Sequence, residues 1–402
     1  MRAMKDSGIE WIGQIPKEWN TIRVKYVTTI TNGSDPKTEG NTPVYGSGSG
    51  CFKTCGECKE GPTVLLGRKG TVDIPQYITG NYWNVDTAFD VKTAEEQLEL
   101  EFYYFASTCF DYKYYTATTT LPSMTQTNYG NMYIPFPPVD VQRCVVAGIK
   151  EKLVGIDALI AAKEKTNALL KERRQSIIYE AVTKGLNPDA PMKDSGIEWI
   201  GEIPEHWEVR RLKVIAEMQT GTTPKTSDSD FFDGDVNWFT PADFSGNMLI
   251  NESERKLTQK AIEEGQVHLF PANTIMIVGI GATVGKTAFT QVAASCNQQI
   301  TAILIKEPER AKYYAYWLAA CSETIKATAN HTTLPIINNQ HLGETFCPYA
   351  NSVDEQDEIT EYLDRTCAGI DGLISANEAT IQKLKEYRQS IIYEAVTGKI
   401  EI

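Results

Sequence analysis

The 402-residue sequence lacks an excess of positive charge: 39 lysines and arginines stand against 52 aspartates and glutamates, a formal net charge of −13. A chain of that balance does not grip polyanions by bulk electrostatics, which at first argues against a nucleic-acid binder. Long apolar runs are missing too. The longest, such as Ile275 to Val278, fall far short of the roughly 20 residues a membrane helix requires, so no span is expected. The start, MRAMKDSGIEW, has no apolar segment, which predicts no secretory leader and a cytoplasmic location. Nine cysteines, an odd number spread over this length, suit reduced thiols better than a disulfide framework. What is present is globular material, 42% apolar with 7 Trp, 19 Tyr and 13 Phe, enough for two or three domains.

Marks of catalysis are equally scarce. Gly279-Ile-Gly-Ala-Thr-Val-Gly285-Lys286-Thr287 approaches a phosphate loop, but the first glycine that motif requires is replaced by Ile280. The same glycines miss the dinucleotide spacing by one residue. The Asn/Asp-Pro-Pro-aromatic signature of adenine methylation has no counterpart, because Phe136-Pro137-Pro138-Val139 lacks both ends. Glu57-Cys-Lys59 with Asp35 upstream has a nuclease-like spacing that chance also supplies. The four histidines, at 206, 268, 331 and 341, fall at no metal spacing. Cys51, Cys55 and Cys58 have the spacing of a three-cysteine iron–sulfur loop, but the alternating βα pattern that chemistry needs does not follow. A cysteine-rich loop beside Gly46, Gly48 and Gly50 is the plainer reading, and no metal or cofactor is expected.

The dominant feature is an internal repeat. MKDSGIEWIGQIPKEW at 4–19 returns as MKDSGIEWIGEIPEHW at 192–207, and IDALIAAKEKTNALLKERRQSIIYEAVT at 156–183 returns as IDGLISANEATIQKLKEYRQSIIYEAVT at 370–397. Each copy runs from start motif through a variable body to a helical segment. Weaker landmarks link the bodies: Gly33 to Thr38 with Gly221 to Thr226, and Thr119-Thr-Leu-Pro122 with Thr332-Thr-Leu-Pro335. The predicted fold class is α/β (α+β): two similar mixed α/β bodies, 1–140 and 191–350, with helical segments at 141–190 and 351–402. Strands are predicted at Thr63–Leu66, Thr274–Val278 and Ile300–Ile305, and helices with an aromatic core face at 98–110 and 311–324.

The helical segments carry a stripe at coiled-coil spacing: Val146, Ile149, Leu153, Ile156, Ile160, then Lys163 and Asn167, matched by Leu363, Cys367, Ile370, Ile374 and Asn377. Asp140 is the expected N-cap of the first helix, and Ser352-x-x-Glu355 a capping box for the second. Roughly 40 residues make a rod of about 60 Å, too long for one small domain. The two rods are therefore expected to pair with each other as an antiparallel coiled coil, with Asn167 fixing register. Within the bodies, Gly67-Arg68-Lys69-Gly70-Thr71 and Gly281 to Thr287 form glycine-flanked turns that let backbone N–H groups and cations approach a phosphate. Asn297-Gln298-Gln299 suits adenine readout, or equally a polar turn before the strand at 300. Trp83 and Trp238 are either rim or core aromatics.

DSGIEWIGEIPEHW, PVYGSG at 43–48, GPTVLLGRKGTV at 61–72, the Thr-Leu-Pro landmarks and the LLKERRQSIIYEAVT-like close of each half together resemble the specificity subunits of type I restriction-modification systems, over nearly the whole chain. The resemblance implies that the bodies are target-recognition domains, each binding half of a bipartite site in double-stranded DNA. It implies that the helices set the spacer and dock two copies of the modification (adenine methyltransferase) subunit, with the restriction or motor subunit joining them. S-adenosylmethionine, ATP and Mg would belong to those partners, leaving this chain non-catalytic. By landmark, the resemblance makes Lys37, Thr38, Arg68, Lys69, Thr71, Lys225, Thr226, Lys286 and Thr287 the DNA-contact candidates, beside Asn297 and Gln298. Where members carry a GTIGK-like run, this chain has Gly70-Thr-Val-Asp73-Ile74, with an acid near the proposed contact. Partner docking falls to the rods, for instance Arg173, Gln175, Arg388 and Gln389.

Two other readings stay open on the residues alone: a scaffold whose bodies bind proteins, and an enzyme using the Cys51 cluster or the Gly279 loop. The charge divides unevenly. Residues 141–190 carry 9 basic against 6 acidic side chains and 351–402 carry 5 against 11, while both bodies are acidic. The isolated chain is therefore expected to bind DNA weakly, with partner subunits supplying much of the positive surface.

Overall fold

The computed structural model describes residues 2–94, 96–115, 122–327, 330–331 and 335–401. The landmark residues Thr119–Leu121 and Thr332–Leu334 lie outside them. The chain divides into two compact units, Met1–Lys165 with Asn377–Ile402, and Thr166–Ala376. The helical segments expected at 141–190 and 351–402 are thus each shared between the units. They form helices α1 (Val139–Lys184) and α2 (Val353–Val396).

Each body is built on a four-stranded antiparallel sheet. In the first, β1 (Thr28–Asn32), β2 (Thr63–Gly67), β3 (Gln76–Ile78) and β4 (Ala88–Thr93) lie in the order β1-β4-β2-β3. In the second, β5 (Ala216–Thr220), β6 (Thr274–Val278), β7 (Thr287–Thr290) and β8 (Ile300–Ile305) repeat that order as β5-β8-β6-β7. The expected strands at 63, 274 and 300 are all present because their uninterrupted apolar runs suit central strands covered on both faces. Helices follow at Leu100–Ser107 and Ala311–Ala320, and their aromatics are core: Phe102, Tyr103, Tyr313, Tyr314 and Trp317 are buried.

The helix-closing repeat has a structural reason. Ile178, Ala181 and Val182, at the end of α1, join the core of the second unit with Ile200, Ile203 and Trp207 of the second start motif. Ile392, Ala395 and Val396, at the end of α2, join the first unit's core with Ile12, Ile15 and Trp19. Tyr179 donates to the Trp199 carbonyl at 2.6 Å and Tyr393 to the Ile12 carbonyl at 3.3 Å, so each start motif is clasped by one helix end. Both helices stop at a glycine in the left-handed region, Gly185 (φ 72°) and Gly398 (φ 69°).

The rods pair within each unit. In the first, Arg388 Nε lies 2.8 Å from Asp157 and Lys385 3.4 Å from Glu164; in the second, Arg174 lies 3.0 Å from Asp371. Partners descend along α2 as they ascend along α1, which makes the pairing antiparallel. Asn167 is buried at its seam position, and Lys163 donates to Asn377 Oδ1 at 3.0 Å.

Two capping expectations are corrected. Asp140 sits inside the first turn of α1 rather than at its cap, because the helix already begins at Val139 and Gln142 N–H bonds the Pro138 carbonyl. Of the Ser352–Glu355 box only one arm forms. Glu355 N–H reaches Ser352 Oγ at 3.3 Å, but the Glu355 carboxylate turns away to accept from Trp207 Nε1 at 3.0 Å and to contact His206 Nε2.

Candidate nucleic-acid interface

At one end of each sheet, loops converge on a backbone frame that is the same in both bodies. Gly33 N–H bonds the Ala88 carbonyl and Ser34 N–H the Asn84 carbonyl; Gly221 and Thr222 make the matching bonds to Ile300 and Cys296. The approach is too close for a side chain, since a Cβ would stand 2.1 Å from Val85 O at Gly33 and 2.2 Å from Cys296 O at Gly221. This is the physical content of the Gly-to-Thr landmark.

Beyond the glycine, Lys37 and Thr38 are exposed, and their N–H groups donate to Glu57 Oε1 at 2.6 and 3.1 Å. The Lys37 N–H holds the Glu57 carboxyl below its ordinary range. Glu57 is thus a loop clamp. Its nuclease-like partner Lys59 is turned to other work, donating to Asn84 Oδ1 at 2.8 Å and Asp90 at 3.1 Å. Lys225 and Thr226 are exposed in the second body.

The glycine turns align differently from the sequence landmarks. Arg68 N–H bonds the Thr87 carbonyl and Met124 N–H the Arg68 carbonyl, while Lys69 bridges Ser123. In the second body Gly279 takes those bonds with Gln299 and Ile337, and Ile280 bridges Ile336. The first body's two cations therefore stand where the second has Gly279 and Ile280, and Lys286 is not their counterpart. Lys286 Nζ donates to the Phe244 carbonyl at 2.8 Å, and Thr287 Oγ1 to Gly285 O at 3.2 Å. The run from Gly279 to Lys286 links β6 to β7 as an antiparallel hairpin, whereas a phosphate loop opens a helix. Arg68 Nη1 touches the Asp86 carbonyl at 3.3 Å, Lys69 is exposed, and Thr71 is half-buried. Tyr129 OH pins this turn by donating toward Gly67 O (2.7 Å) and Val72 O (3.1 Å).

Asn297 is buried and spent locally: it donates to Gln299 Oε1 at 3.1 Å and accepts from Gln299 N–H at 3.0 Å, forming a polar turn before the strand at 300, one of its two equal readings. Gln298 is exposed and accepts from Thr223 Oγ1. Sequence reasoning missed a second amide run, Asn338-Asn339-Gln340, which the fold brings beside the first. Gln298, Gln299, Asn339 and Gln340 share a cleft of about 370 Å³ with Ile280 and Ile336. The signal was two separated triplets rich in Asn and Gln; only tertiary structure joins them. Asn339 donates to the Met218 carbonyl at 3.5 Å, just as Gln126 donates to the Ile30 carbonyl at 3.1 Å in the first body.

A different interior supports each frame. Asp90, nearly buried, accepts from Lys59, from Thr63 Oγ1 at 2.5 Å and from Tyr82 OH at 2.9 Å, and burial raises the Tyr82 hydroxyl's pKa. At the matching positions the second body has Ala302, Thr274 and Ala294. Trp238 is buried and Trp83 half-buried, yet each indole N–H holds the same loop, on the Thr222 carbonyl at 3.1 Å and the Ser34 carbonyl at 2.7 Å. They stand on opposite partners of a parallel strand pair, Trp83 beside Val44 and Trp238 beside Ser295.

The cysteine triad does not converge. Cys51 and Cys55 lie on one strand, where four residues of rise separate them by about 13 Å. On the rods, Gln389 Nε2 caps the Thr108 carbonyl at 2.9 Å, and Gln175 Nε2 the Ala320 carbonyl at 2.8 Å, each fastening a rod to its body's helix end. Of the residues expected to dock partners, Arg388 is engaged by Asp157 and Arg173 is exposed.

A duplicated frame with divergent loop chemistry, carried on paired rods, defines a modular recognition protein. The family model for the type I restriction modification DNA specificity domain matches residues 16–171 and 204–385. The chain therefore belongs to that family and is a DNA-recognition protein of the type I restriction-modification class. It is 32% identical over 168 residues to the MjaIX specificity subunit of Methanocaldococcus jannaschii, a match covering 41% of this chain and 38% of that one. It is 25% identical over 341 residues to the EcoR124I/EcoR124II specificity subunit of Escherichia coli, covering 79% and 78%. A solved chain from a study of type I R-M complex assembly has the same fold, with a TM-score of 0.61, 17% identity and coverage of 96% and 99%. Among the described residues no helix is long and apolar enough to cross a membrane.

Proposed function

We propose that this chain reads a bipartite sequence in double-stranded DNA, one half-site per body, and itself performs no chemistry. Specificity subunits of type I systems bind DNA and act in complexes with methyltransferase and restriction subunits, and this reading gives the chain that place. The observation that carries it is the shared loop frame with different side chains: Arg68 and Lys69 in one body stand where Gly279 and Ile280 stand in the other. Cations and hydroxyls of the loops would contact phosphates, and side chains at the frame would read base edges. Two copies of the modification subunit would dock, one per rod. Leu159 and Leu373 occupy matching repeat positions and are 46% and 57% exposed, the kind of apolar residue a partner covers. S-adenosylmethionine, ATP and Mg would be held by the partners.

Sequencing the host methylome with and without this gene tests the reading. Deletion should erase one bipartite adenine-methylation motif, and lengthening both rods by equal whole turns should change its spacer while leaving both halves intact. No lost motif, or altered half-sites in the lengthened protein, would sink it.

A further inference from the structure

The cleft in the second body has no charged side chain among the described residues that line it. Most of its polar groups are already engaged. Asn339 Oδ1 accepts from Thr301 at 3.0 Å and Thr220 at 3.3 Å, Asn297 and Gln299 bond each other, and Asn338 accepts from the His341 N–H at 2.8 Å. Gln340 presents an exposed carboxamide, and Gln298 is exposed too, its Oε1 accepting from Thr223 Oγ1. Ile280 and Ile336 are each 37% exposed and face each other across an antiparallel bridge, so their side chains stand on the same side.

This combination selects one kind of base pair. A carboxamide carries a donor and an acceptor side by side, matching the N6 donor and N7 acceptor on the major-groove edge of adenine. Guanine shows two acceptors there and calls for Arg or Lys, which the cleft does not supply. The C5-methyl of thymine needs an apolar contact, and an exposed isoleucine pair offers one. We propose that the cleft reads an A·T pair of the second half-site in the major groove, with Gln340 bidentate on adenine and Ile280 and Ile336 against the methyl of its thymine. Gln298 contacts the adjacent position. The inference rests on the DNA-reading function proposed above.

The full-length protein, co-expressed with its modification subunit in a host without other adenine methylation, is read out by methylation sequencing. The wild-type second half-site must contain an A·T pair that Gln340→Ala relaxes, raising methylation of sites altered at that pair about 10-fold relative to the intact site. Gln340→Glu, which can only accept, should shift preference toward C·G through the cytosine N4 donor. The first half-site and the spacer stay unchanged. Gln298→Ala should relax the neighbouring position and supplies a second readout should the Gln340 variants fail to assemble.

An unchanged motif in all three variants overturns the assignment, as does a shift in the first half-site or a variant with wild-type melting that methylates nothing. If deletion of the gene erases a bipartite motif while these variants leave it intact, only the base-pair assignment falls. If deletion erases none, the DNA-reading function falls with it.

Discussion

In the first body a buried aspartate, Asp90, links Lys59 to Thr63 and Tyr82; in the second its place is taken by Ala302, packed with Phe239, Ala294 and Cys296. Yet the loops above both interiors are hung from the same backbone bonds, at Gly33 and Gly221 and at Arg68 and Gly279. The difference teaches that main-chain hydrogen bonding sets the frame, while interior polarity and loop side chains are free to change around it. That freedom is what a pair of recognition bodies needs if each is to read its own half-site.

The sharpest test exchanges the interiors. Ala302→Asp buries a carboxylate without the lysine and tyrosine that satisfy Asp90, where Thr274 already donates to the Pro271 carbonyl, and should cost about 4 kcal/mol. Asp90→Ala leaves Tyr82 without its acceptor and Lys59 without its counter-charge, and should cost about 3 kcal/mol. Denaturant unfolding of each variant checks both, and an Ala302→Asp protein as stable as the parent would show that Ala302 is not enclosed by the apolar cluster of Phe239, Ala294 and Cys296.

A smaller effect separates the two tryptophans. Trp238→Ala empties a buried site and should destabilise by about 3 kcal/mol, whereas Trp83→Ala, half-buried, should cost about 1 kcal/mol. Thermal melts that rank them the other way would contradict that difference in burial. The smallest perturbation is chemical. Burial pushes the Cys296 and Cys347 thiols up to about 12, so almost none is thiolate at pH 8. Exposed Cys51, Cys58 and Cys144 all belong to the first unit. Maleimide labelling of the native chain followed by peptide mapping should mark those three and spare every cysteine of the second unit; labelled Cys296 would contradict its burial.

Much of the architecture was legible because it depends on local pattern. The repeat, the three apolar strands, the long helices and the buried aromatics follow from periodicity and composition that neighbours in sequence share. What escaped depends on where the chain returns to itself. Glu355 reads as half of a capping box, but Trp207 and His206, 148 and 149 residues away, claim its carboxylate. Gln175 and Gln389 read only as rod-surface residues, but Gln175, still exposed, also bonds the Ala320 carbonyl, and Gln389 the Thr108 carbonyl. Among the site candidates, Lys37, Thr38, Lys69, Lys225, Thr226, Lys286 and Gln298 lie at exposed positions, Lys286 also bonding the distant Phe244 carbonyl, while Asn297 is drawn into a local turn. The cleft needed 298–299 and 338–340 brought together, which no window along the chain reveals.

The clasp between the first start motif and the end of α2 has a consequence for biosynthesis. The first unit includes Asn377–Ile402, and Ile392, Ala395 and Val396 are part of its core, so it stays incomplete while Thr166–Ala376 is translated. At ribosomal speeds of roughly 5 to 20 residues per second that wait lasts roughly 10 to 40 s. The second unit, contiguous in the chain, can close as it leaves the ribosome. Synthesis therefore completes the second unit's sequence before the first's, and Trp19 and its neighbours lack Ile392, Ala395 and Val396 until those last turns of α2 are made.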